Sequence, residues 1–142
     1  MLSPHPLLVL VRALCLMNLG ALGLLFVSAG LYIQDFRGLD IHGLGAIGLH
    51  VTSGVLAVAL LLMVKVAKTG LVPALLAAAT FGLSFLQAAV GGSMTLMWHV
   101  SGALLLTVML TWVTAWAFSS RRRGEEHRRI DSRHHSLEGA SS

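Results

Sequence analysis

Four long apolar runs, parted by short polar or glycine-bearing stretches, organise the chain. The first extends from Ala13 to Ile33, broken only by the polar side chains of Asn18 and Ser28 and edged by Gln34. At about 1.5 Å of rise per residue, such a run crosses a hydrocarbon core of roughly 30 Å. The second runs from about Ile41 to Val64 and stops at Lys65 and Lys68. The third runs from about Leu71 to Val90 and closes at Gly91-Gly92, and the fourth runs from about Leu96 to Phe118 and stops at Arg121-Arg122-Arg123. The connections are short: a polar stretch from Gln34 to Asp40, then a turn marked by Gly70 and Pro73. Short connections make neighbouring helices antiparallel. The pattern predicts an all-α membrane fold, a four-transmembrane antiparallel helix bundle over residues 12–119. A short segment, 1–11, precedes it, and a basic, polar tail without fixed structure, 120–142, follows. The competing reading of the first run is a signal peptide, with Arg12 as its basic region and Val27-Ser28-Ala29 as a cleavage site. The run continues past that site and three similar spans follow, which favours a helix that stays.

Composition agrees with the pattern. The chain is 56% hydrophobic and 11% charged, where a soluble domain carries about a quarter charged residues. The formal net charge of +4 comes largely from the last quarter, where Arg121, Arg122, Arg123, Arg128, Arg129 and Arg133 cluster. With no nucleic-acid module before it, such a tail points to anionic lipid at a membrane face, not to nucleic acid. Lys65, Lys68, the Arg121 cluster and Arg12 fall on one side of the bundle, while Arg37 stands alone on the other beside Asp35 and Asp40. The excess of Lys and Arg predicts cytoplasmic N- and C-termini in a plasma-membrane protein. Trp98 and Trp116 sit near the two ends of the fourth span, as interfacial anchors do.

The lone cysteine, Cys15, lies within an apolar run and reads as a small buried hydrophobe. Glycines are frequent inside the spans, which in lipid lets helix backbones approach closely. A weak internal echo aligns Leu49-His50-Val51-Thr52-Ser53-Gly54 with Trp98-His99-Val100-Ser101-Gly102, as two copies of a helical hairpin would.

The candidate chemistry lies in His42, His50 and His99. Ionisable side chains within a span are costly and usually face the bundle interior with a partner. A neutral imidazole in apolar surroundings commonly ligates a metal. Two histidines on different helices can hold haem iron from both faces, with small residues such as Gly54, Gly91, Gly92 and Gly102 leaving room for the plane. The bland alternative is a histidine bonded to a carbonyl or hydroxyl on a neighbouring helix. His99 is the firmest member, because span four has no other histidine, and His50 is the first choice of partner, because its depth is hardest to explain otherwise. Yet His42 precedes Lys65 by nearly the same stretch of chain as His99 precedes Arg121, which sets those two histidines at similar height. His50 sits about 12 Å deeper by helix rise.

The segment Leu86-Gln87-Ala88-Ala89-Val90-Gly91, followed by Trp98-His99, resembles a half-bundle of the haem A synthase family. That family's pattern is a Leu-Gln pair, a small residue, a Gly, then a His opening the next helix. The His42 to Gly54 segment is similarly placed to the His that opens the earlier helix of such a half. The chain also looks like small four-helix bacterial membrane proteins with a His in helices two and four, and more distantly like cytochrome b561-type bundles. The resemblance covers roughly residues 20–118. It departs from the synthases in having one half instead of two, no Arg after any of the three histidines, and no match to the acidic residue near the reactive haem. It therefore implies a haem b-binding or electron-transfer bundle more than an enzyme.

Two other function classes compete. Met94-x-x-Met97-x-His99 places soft thioethers and an imidazole together, as Cu(I) handling would require. A structural subunit, embedded in the lipid bilayer beside a membrane protein partner or a second copy of itself, needs no site at all. Phosphate-binding glycine loops, a Ser/His/Asp set and paired intramembrane carboxylates are absent from the sequence.

Overall fold

The computed structural model describes residues 4–92 and 95–140, with side chains described for 5–92 and 95–119. Four helices follow in order: α1 (Pro4–Asp35), α2 (Leu39–Ala67), α3 (Leu71–Ala89) and α4 (Leu96–Ala140). Each packs on the next and α4 closes against α1, so α1 faces α3, and α2 faces α4, across the bundle diagonals. All four are long and apolar enough to cross a membrane, and the chain is a multi-pass membrane protein of the expected four-helix class. The fourth span was expected to end at Phe118 before a tail without fixed structure. The apolar span does end there, at Ser119, and the α4 backbone is helical beyond it to Ala140.

Packing follows lipid logic. The interior stripe of α3 is Pro73, Ala74, Ala77, Thr80 and Ser84, and that of α2 includes Gly45, Leu49, Ser53, Leu56, Leu60 and Met63, at three- and four-residue steps. Small and weakly polar residues thus turn inward, while Val51, Val55, Val58, Leu75, Phe85 and Leu104 stay exposed on the outside. Water would penalise that arrangement, and hydrocarbon does not. Asn18, fully buried, ties α1 to α2. Its Nδ2 donates to Leu14 O at 2.8 Å and its Oδ1 accepts from Thr52 Oγ1 at 3.1 Å. Cys15 is fully buried among apolar neighbours, as its sequence context implied.

Two turns need glycine. Gly70, before α3, has φ +85°, and a Cβ there would lie 2.9 Å from the Trp116 ring. Gly38, before α2, has φ +89°, and a Cβ there would lie 3.1 Å from Ser28 O. The positive φ costs any L-residue about 1–2 kcal/mol, and the close approach of Gly38 seats the α1–α2 turn directly over Ser28. That placement brings the start of α2 onto α1, where the histidine site begins.

Candidate functional site

His42 and His99 are each the fourth residue of their helix, α2 and α4. Their rings meet across the bundle diagonal, with centroids 6.2 Å apart and planes at 49°. Both are partly buried. His42 Nδ1 lies 3.2 Å from Leu25 O and 3.1 Å from Ser28 Oγ on α1, and Ser28 Oγ itself donates to Leu25 O at 3.0 Å. His99 Nδ1 lies 3.0 Å from Gln87 O on α3. A carbonyl only accepts, so Nδ1 is the donor in each bond, and a neutral imidazole held this way keeps its lone pair on Nε2. Among the described residues neither Nε2 makes a hydrogen bond. Across a five-membered ring, Nε2 points roughly away from Nδ1. His42 Nε2 therefore turns away from the α1 carbonyl, and His99 Nε2 away from the α3 carbonyl.

The two half-sites are built alike. Each reads Leu-x-x-His-x-x-Gly, Leu39 to Gly45 and Leu96 to Gly102. In each, one residue on the preceding helix serves both the histidine and the glycine. Leu25 O takes the His42 proton while the Leu25 side chain lies against Gly45, where a Cβ would come within 3.2 Å. Gln87 O takes the His99 proton while the Gln87 side chain lies against Gly102 and its Nε2 donates to His99 O at 2.7 Å. The hairpin repeat therefore equates His42 with His99, not His50 with His99 as the sequence echo aligned them. The shared His-x-x-Gly spacing carried that register in the sequence.

His50 takes no part in the pair. Its ring lies over Phe85 on α3, with centroids 4.4 Å apart and planes at 33°, and its buried Nδ1 has no hydrogen-bond partner among the described residues. The expected room-making glycines serve side chains instead. The open face of Gly54 meets the Phe81 ring, where a Cβ would come within 3.0 Å, and that of Gly102 meets Gln87. Gly91 lies beside His99, with space for a Cβ 3.8 Å from its ring, and a Cβ on Gly92 would lie 3.8 Å from Thr95 Oγ1. Met97 is exposed, two residues from the inward-turned His99 on the same helix, and Met94 lies outside the described residues.

A metal between two imidazole nitrogens, each about 2.0–2.1 Å away and in line, puts the ring centroids about 6 Å apart. The His42–His99 separation suits that arrangement. The Nδ1–H to carbonyl bonds are the supports that ligating histidines commonly have, because they fix the tautomer and the ring plane. No group of three or more His, Cys, Asp or Glu side chains able to hold a metal occurs among the described residues. Two imidazoles alone could hold a metal only as part of a group that brings its own equatorial ligands, as a porphyrin does. No protein-family model, curated protein or solved structure matches the chain.

Proposed function

We propose that this membrane protein holds one haem b between His42 and His99 and serves electron transfer or haem handling. The observation that carries the reading is the pair of imidazoles on diagonal helices, each pinned through Nδ1 to a carbonyl, with ring centroids 6.2 Å apart, a spacing that suits a metal between them. The resemblance of the Leu86–Gly91 and Trp98-His99 segments to a haem A synthase half-bundle points the same way. Bound haem iron supplies one-electron chemistry. The chain's own residues do the rest. Leu25, Ser28 and Gln87 hold the rings, and the apolar flanks exclude water. If His42 and His99 both held the iron, no position would remain open for a substrate, so a carrier fits better than an enzyme. The excess of Lys and Arg at one end supports cytoplasmic termini, with the histidine end on the outer side of the plasma membrane.

The test is a haem titration of the full chain in detergent. His42→Ala and His99→Ala should each convert a six-coordinate, low-spin spectrum to a five-coordinate one or abolish binding, while His50→Ala keeps the low-spin spectrum. A variant set in which His50→Ala loses the low-spin spectrum and His42→Ala retains it would overturn the pairing.

A further inference from the structure

We propose that Arg12 is the core of a binding site for the phosphate of an anionic phospholipid, at the seam where α1 meets α4. Arg12 sits on α1 level with the end of the fourth span. Its Nε donates to Ala117 O at 3.0 Å, and its Cζ lies 5.3 Å from the centre of the Phe118 ring. The side chain is partly buried, and Nη2 is buried without an acceptor. An arginine keeps its charge in any protein setting. A desolvated guanidinium needs a counter-charge or a full set of acceptors.

The described part of the bundle offers it no carboxylate. Asp35 and Asp40 are the acidic side chains among the described residues, and both belong to the opposite end. Asp35 is the last residue of α1, so helix rise sets it a full hydrocarbon thickness away from Arg12. At the Arg12 end the other described charges, Lys65 and Lys68, are also positive. The missing acceptor therefore comes from outside the described bundle. The depth fits a lipid headgroup, because Ala117 and Phe118 close the apolar run just before Arg121-Arg122-Arg123. A phosphodiester accepts charge-assisted hydrogen bonds from guanidinium nitrogens. In the bound state the Ala117 carbonyl and the Phe118 face hold the guanidinium, which turns outward on its open side so that a phosphate oxygen takes Nη2. The exposed side of Phe118 is left to the acyl chains. The site is separate from the histidine pair and does not depend on haem.

The experiment is native mass spectrometry of the full chain released from nanodiscs of mixed phosphatidylglycerol and phosphatidylcholine. The wild-type protein should retain one phosphatidylglycerol with about tenfold preference over phosphatidylcholine, a factor that corresponds to about 1.4 kcal/mol. Arg12→Gln should remove that preference, and Lys65→Gln with Lys68→Gln should leave most of it. Should Arg12→Gln fail to insert, the wild-type protein alone decides, through its thermal stability in nanodiscs of either lipid. A higher midpoint in phosphatidylglycerol that survives about 0.5 M salt, which screens free surface charge at short range, supports a seated headgroup. Equal retention of both lipids, or a preference that Arg12→Gln leaves intact, overturns the proposal. Displacement of the lipid by millimolar inorganic phosphate would overturn the lipid assignment in favour of a soluble phosphate.

Discussion

Replacing Gly102 by Ala should damage this bundle far more than the same change at an open glycine, because Gln87 fills the space. An added Cβ would lie 2.7 Å from Gln87 Cδ and 2.9 Å from its Nε2. Comfortable contact between heavy atoms begins at about 3.5 Å. Gln87 must then swing out and release its 2.7 Å bond to His99 O. An interhelical hydrogen bond in lipid is worth about 0.6–1.7 kcal/mol, and overpacking costs about 1–3 kcal/mol. Against these stands the helix preference for Ala over Gly, about 1 kcal/mol. The net loss should be about 2 kcal/mol. Gly82→Ala is the control, since nothing lies within 4 Å of a Cβ there, and it should be neutral or slightly stabilising. The assay is reversible unfolding in mixed micelles, run as a double-mutant cycle with Gln87→Ala. In the Gln87→Ala background the clash is gone, and Gly102→Ala should then cost nothing, a coupling of about 2 kcal/mol. Equal tolerance of Ala at positions 102 and 82 with Gln87 present, or a coupling near zero, would refute the wedge.

Other expected outcomes are simpler to state. Gly70→Ala combines positive-φ strain with contact against Trp116. It should lower stability by about 1–3 kcal/mol, and thermal unfolding in detergent reads it directly. Thr52→Val would leave Asn18 Oδ1 without its donor, whereas the Thr107 hydroxyl bonds only its own helix. In the same assay the first change should cost about 1 kcal/mol and Thr107→Val less. A cysteine placed at Arg37 should react with an impermeant thiol reagent added outside the cell and one placed at Ser136 should not; the reverse pattern would invert the proposed orientation.

The architecture was legible because lipid-crossing helices advertise themselves by length. Each polar or glycine-marked break in the apolar pattern falls at or within a few residues of a helix end. The height of the histidines was legible too, since counting back from Lys65 and Arg121 already set His42 level with His99. The preference for His50 came from depth alone, and depth says how costly a side chain is, not which way it faces. On α2, His50 turns to Phe85 while His42 turns to α1 and the His99 ring. The roles of Gly54 and Gly102 were not legible, because an inward glycine reads the same whether it admits a cofactor or a neighbouring side chain. Arg12 read as an orientation signal, and only its partners on α4 reveal an unsatisfied guanidinium.

The most direct test of the proposed function is the visible spectrum of the full-length protein, purified in detergent from cells supplied with ample haem. Haem held by His42 and His99 predicts one haem per chain, a Soret band, and sharp bands on reduction typical of low-spin, bis-imidazole iron. A folded, inserted protein with no Soret band under those conditions would contradict it.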